Sequence, residues 1–136
     1  MDVLEYFKKD RFAAHCGMEL IEAAGGHARA RMTLQPHHWN GMGTIHGGAL
    51  FTFADFTFAA ACNSHGIVSV AIDANITFMK AVSGGVLYAN AKELARNTKL
   101  GSYAVEIVNE AGDLIAQFQG LAYFKKQQWT GTPRAS

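Results

Sequence analysis

The stretch between residue 47 and about residue 64 constrains the fold most. It holds no proline and is rich in alanine and phenylalanine, so its length and composition predict a helix. Leu50, Phe51, Phe53, Ala54, Phe56 and Phe58 cover nearly every direction around its axis. A helix that is apolar all round cannot face water, so other elements must wrap it. One residue breaks the pattern. Asp55 places a carboxylate among phenylalanines and alanines, where it loses hydration unless something compensates.

The remainder reads mostly as strands. Residues 3–16, with Leu4, Phe7, Phe12 and Ala13 apolar, predict one short amphipathic helix. "MELIEAAGGHARARMTL" predicts a hairpin turning at Gly25-Gly26, and its second arm alternates Ala28, Ala30 and Met32 with polar neighbours. "QPHHWNGMGT" predicts a loop. Four strands follow the long helix, near residues 69–78, 86–96, 102–109 and 114–124. The order is short helix, two strands, long central helix, four strands. Consecutive hairpins favour antiparallel pairing, which makes this an α+β fold with a sheet of about six strands around a buried helix.

A chain of 136 residues suffices for one domain, which we assign to residues 1–125, with residues 126–136 as a flexible polar tail. A net charge of +1 suggests neither a nucleic-acid nor a membrane-surface partner. No apolar run is long enough to cross a bilayer, and the charged N-terminus does not resemble a signal peptide. Cys16 and Cys62 lie far apart without a CxxC pairing, which favours reduced thiols and a cytoplasmic protein. His37, His38, His46 and His65 lack metal-ligand spacing, so no metal is expected.

The central motif is more informative than the bulk numbers. "NGMGTIHGGALFTFAD", followed by "ACNSHG", "DANITFMKAVSGG" and "VEIVNEAGDLIAQFQG", resembles the hotdog-fold thioesterases. The nearest pattern is that of the phenylacetyl-CoA thioesterase (PaaI-like) branch of the 4-hydroxybenzoyl-CoA thioesterase superfamily. The resemblance spans about residues 15–125. It implies acyl-CoA hydrolysis without metal or bound cofactor, in sites shared between subunits of a homo-oligomer, either a dimer or a tetrameric dimer of dimers. By motif position, the Gly47 N–H would face the thioester oxygen. Asn40 would orient the carbonyl or the water, His46 would hold the loop and polarise the site, and Asp55 of a neighbouring subunit would be general base or nucleophile. Gly48 would let substrate approach the backbone closely. From their places at strand ends, Lys80, Arg96 and Lys99 are either contacts for coenzyme A phosphates or solvated surface charges. Some relatives carry a hydroxyl residue two places before the Asp of "DANITF"; here that place is Ala71.

Physical chemistry leads toward the same site. Unpaired N–H groups and the positive dipole end at a helix start suit an oxyanion. Gly47 and Asp55 are eight residues apart, about 12 Å along one helix, too far to share one carbonyl. Two antiparallel helices would bring them together, so the spacing itself supports a dimer. Asp55 could instead be structural, bonded to backbone amides or to Arg31. Two further readings stand beside hydrolysis: a MaoC-type hydratase, whose Asp precedes its His, and a non-catalytic acyl-CoA-binding hotdog protein.

Overall fold

A computed structural model of the chain describes residues 3–129. In chain order the elements are α1 (Val3–Phe7), α2 (Arg11–His15), β1 (Met18–Ala24), β2 (His27–Thr33), a 3₁₀ turn (Pro36–His38), α3 (Gly47–Asn63), β3 (Ile67–Phe78), β4 (Val86–Arg96), β5 (Leu100–Val108) and β6 (Leu114–Gln128). The six strands form one antiparallel sheet in the order β1-β2-β4-β5-β6-β3. No described helix is long and apolar enough to cross a membrane.

Strand alternation builds the core. Ala28, Ala30 and Met32 of β2, Leu87, Ala89 and Ala91 of β4, and Tyr103, Val105 and Ile107 of β5 are all buried, while their intervening neighbours are more exposed. The curled sheet presents these side chains to α3, which contacts all six strands. Phe53 and Phe58 are fully buried there, each worth roughly 2 kcal/mol of transfer free energy. The Phe58 ring meets Tyr103 at 5.5 Å and Phe118 at 5.7 Å between centroids, which locks the helix onto β5 and β6.

Three expectations change. Residues 3–16 form two short helices instead of one, because Asp10 leaves helical geometry and its carboxylate accepts the Ala13 N–H at 2.9 Å, starting α2 afresh. β6 continues to Gln128, so the first part of the expected tail is strand; residues 130–136 lie outside the described residues. Finally, α3 is not buried on every side. Phe51 is exposed and Thr52, Asp55 and Ala59 are half-buried, forming one open stripe at helical spacing. Among the described residues β3 pairs only with β6, so it is a free edge of the sheet.

That edge is apolar. Val70, Ile72, Phe78 and Met79, in β3 or just beyond it, are 40%, 54%, 55% and 58% exposed. A long apolar edge strand left in water invites pairing with another chain.

Candidate active site

The loop entering α3 is built by Asn40. Its Oδ1 accepts the N–H groups of Met42 and Thr44 at 2.8 and 3.2 Å, and its Nδ2 donates to the Thr44 hydroxyl at 3.0 Å. A bridge between Trp39 and Ile45 closes the loop. His38 supports it from below: this buried ring accepts the Gln35 N–H through Nδ1, and its Nε2 donates to the Cys16 carbonyl at 2.7 Å.

His46 is the N-cap of α3. Its Nδ1 accepts the Gly48 N–H at 2.8 Å, and its carbonyl accepts those of Ala49 and Leu50. The first turn is therefore almost fully satisfied. The Gly47 N–H is the exception, with no acceptor among the described residues. Gly48 thus gives up its amide to the cap. A Cβ there would lie 3.0 Å from the His46 Nδ1, so glycine makes room for the capping ring. At Gly47 a Cβ would lie 3.0 Å from the Phe78 ring, so here glycine keeps a narrow approach open.

Asn40, Gly47, Leu50, Phe78 and Lys80 line one cleft of about 330 Å³ at this helix start. Phe78 and Met79 form an apolar wall that the motif did not single out; the only sequence signal was their place at the end of "DANITFMK". Lys80 donates to Asp113 at 2.7 Å, in an exposed ion pair. Arg96 and Lys99 are not gathered here within one chain. Arg96 binds Glu93 at 3.2 Å, beside His65 at the opposite end of α3, and Lys99 lies in the exposed turn between β4 and β5.

Asp55 sits on the open stripe of α3, half-buried and without a hydrogen bond or ion pair among the described residues. Arg31, one conceivable structural partner, pairs with Glu19 at 3.2 Å. Burial pushes the Asp55 carboxyl above its ordinary 3.8, and the charge of Asp10 adds to the rise. The sequence pointed to no role for Asp10, which reaches this neighbourhood because Phe7 of α1 packs on Phe56, ring centroids 6.0 Å apart. Within one chain, Asp55 and the Gly47 N–H are separated by two turns of helix. No group of three or more His, Cys, Asp or Glu among the described residues could hold a metal.

Comparisons with known proteins place the chain in a family. The thioesterase superfamily profile matches residues 42–116. The chain is 35% identical over 118 residues to the acyl-coenzyme A thioesterase PaaI of Escherichia coli, spanning 86% of this chain and 84% of that one. It is 36% identical over 102 residues to human acyl-coenzyme A thioesterase 13, spanning 72% and 73%. The solved structure of the E. coli PaaI protein from the phenylacetic acid degradation operon superposes with a TM-score of 0.87 over 91% of both chains, at 33% identity. The chain belongs to the thioesterase superfamily, on its PaaI-like hotdog branch.

Proposed function

We propose that this protein is a cytoplasmic acyl-CoA thioesterase, hydrolysing an aryl-acetyl, aromatic or medium-chain acyl-CoA at sites shared by two subunits. The observation that carries this reading is a pair of unsatisfied groups: the Gly47 N–H and the Asp55 carboxylate, too far apart in one chain to meet one carbonyl. Two antiparallel copies of α3, joined along the apolar β3 edge, would set the Gly47 of one subunit opposite the Asp55 of the other. Covering that edge and the open stripe would remove the exposed apolar surface at the same time.

In the proposed reaction the thioester oxygen accepts the Gly47 N–H, which stabilises the negative charge that grows on it during attack. Asp55 takes a proton from water as the water oxygen bonds to the carbonyl carbon. The C–S bond then breaks, the proton passes to the departing thiolate, and free acid and coenzyme A leave. The burial-raised carboxyl of Asp55 suits general-base work better than nucleophilic attack followed by departure. Asn40 holds the entry loop and keeps one Nδ2 hydrogen for the carbonyl, while His46 acts through the helix cap. Lys80 at the cleft would meet a coenzyme A phosphate once it exchanges Asp113 for it; Arg96 and Lys99 could do so only at a site completed by another subunit.

Thiol release measured across an acyl-CoA panel tests the activity. Cleavage of at least one panel member, abolished in Asp55→Ala, is expected; full turnover by Asp55→Ala on every cleaved substrate would refute the assignment. A single turnover in heavy-oxygen water separates the two mechanisms. Label in Asp55 supports direct attack, whereas label in the product acid with no acyl-enzyme trapped by hydroxylamine supports water activation.

A further inference from the structure

The elbow between α1 and α2 carries a second carboxylate toward the middle of α3. Both short helices pack against α3. Phe7, the last residue of α1, meets Phe56 with ring centroids 6.0 Å apart, and Ala13 of α2 is buried in the core. Asp10 stands between them and is half-buried. With Phe7, Ala13 and Phe56 it lines a cleft of about 410 Å³, and Phe56 directly follows Asp55. The Asp10 side chain is held in place: its Oδ1 accepts the Ala13 N–H at 2.9 Å, as the N-cap of α2.

No ion pair neutralises Asp10 or Asp55 among the described residues. The other charges around them are occupied or turned away. Lys8 pairs with Glu5 at 3.0 Å, and Glu19 of β1, which also lines the Asp10 cleft, pairs with Arg31 at 3.2 Å. Lys9 lines the adjoining cleft at the start of β3 and pairs with neither carboxylate. Asp73 of β3 precedes the half-buried Ala74 and so takes the other face of the sheet. Arg29, Lys92 and Glu106 alternate with buried positions and face outward in the same way, while Glu93 is taken by His65 at the far end of α3. Lys125 and Lys126 are exposed near the end of β6. On α3 itself the titratable neighbour is the Cys62 thiol, pushed up to about 11 by burial and, in smaller part, by the Asp55 charge, so it is neutral at pH 7. In the shared site, the His46 of the other subunit would join this set.

Capping alone does not require this charge, since Asn or Ser would cap α2 as well as Asp does. We propose that Asp10 is a positioning residue of the active site, whose fixed negative charge strengthens Asp55 as the base that takes a proton from water. The inference rests on the thioesterase reading above, with Asp55 as general base. A carboxylate that faces another negative charge gains more from accepting a proton than an isolated one does. The Asp10 charge acts on Asp55 in this sense, adding to the effect of burial. When Asp55 takes the proton of the attacking water, the repulsion between the two carboxylates ends, so Asp10 favours that step. The proton then passes to the departing thiolate as before. Asp10 touches no substrate atom and works only through Asp55.

The test follows kcat and kcat/KM against pH on the acyl-CoA of the panel that the parent cleaves fastest. Asp10→Asn keeps the cap and removes the charge. Its acid limb is expected to move to lower pH, with kcat on the plateau about twofold lower and KM unchanged. Asp10→Glu keeps the charge and weakens the cap. Its acid limb should stay near that of the parent while its urea midpoint falls. A purely structural Asp10 would give the reverse order, with Asp10→Asn like the parent and Asp10→Glu impaired. An acid limb unmoved in Asp10→Asn, or displaced equally in both variants, overturns the role of Asp10; with Asp55→Ala inactive on the same substrate, the thioesterase reading stands. A parent that cleaves no member of the panel, or an Asp55→Ala protein with full turnover, overturns both.

Discussion

The two ends of α3 obey different rules. At its C-terminal end the side chains of Asn63, Ser64 and His65 are matched. Ser64 accepts the Gly26 N–H at 2.8 Å, Asn63 clamps the start of β3, and the Glu93 carboxylate binds His65 and Tyr103, each at 2.8 Å. Toward its N-terminal half, the Gly47 N–H and the Asp55 carboxylate have no partner among the described residues. Both sets are polar and at least partly withdrawn from water, yet only one is satisfied. Satisfied polar groups hold this fold together, whereas the unsatisfied ones are the groups that the proposed shared site would use.

That contrast can be broken by mutation, and the largest expected effect is at Asp55. Asp55→Ala should lower kcat by about 10³-fold, the size of a lost general base, while circular dichroism stays native. It should also raise stability by about 1 kcal/mol in urea unfolding, because a strained functional charge disappears. An inactive variant that is also less stable would recast Asp55 as structural. Next in size, Gly47→Ala should cost about 10²-fold in kcat, since its methyl group would crowd Phe78 and the approach to the N–H. Adding Phe78→Ala should return part of that loss; no return would mean that crowding is not the cause.

The matched end should answer in stability. Glu93→Ala strands the buried Tyr103 hydroxyl and frees His65 and Arg96, so a loss of about 2 kcal/mol is expected with kcat within about twofold of the parent. A large kcat loss at unchanged stability would erase the contrast between the ends.

Acid titration sharpens the same point, because the two carboxyls shift in opposite directions. At Glu93 burial pushes the carboxyl up, but the Tyr103 and His65 hydrogen bonds and the nearby Arg96 outweigh it and hold it below its ordinary 4.5. Its stabilisation is therefore present above that value and lost as pH falls through the lowered one. Asp55 is raised above 3.8, so its effect on stability is most favourable below that value and is lost as pH rises through the raised one. Unfolding free energies followed across acidic pH should show Glu93→Gln flattening the acid limb and Asp55→Asn removing the opposing slope. The smallest effect is expected at His46. His46→Ala removes the ring that accepts the Gly48 N–H and should cost about 1 kcal/mol, the typical worth of an N-cap.

Much of this was legible in the chain itself. The long apolar helix begins at Gly47 as expected, and β4 coincides with residues 86–96, because in both the hydrophobic pattern and the bounding glycines agree. The family motif singled out Asn40, Gly47, His46 and Asp55, whose roles belong to the proposed mechanism. Features that depend on side-chain direction were hidden. Nothing in "IHGG" tells that the His46 ring takes the Gly48 amide and leaves that of Gly47 free. Nor does apolar periodicity reveal that the sheet ends at β3, since that is a matter of strand order. Arg96 looked available at a strand end, yet Glu93, three residues earlier in the same strand, engages it. The stacking of Tyr6 on Trp129 joins residues near the two ends of the chain, which no local pattern connects.

The shared site is the central claim, and subunit mixing tests it most directly. Asp55→Ala and Gly47→Ala proteins, each nearly inactive alone, would be unfolded together, refolded and assayed for thiol release. A mixed dimer holds one site with both the intact Gly47 and the intact Asp55, so roughly a quarter of parental activity is expected after random pairing. Activity no greater than the sum of the two separate variants, in a mixture shown to contain mixed dimers, would contradict the shared site.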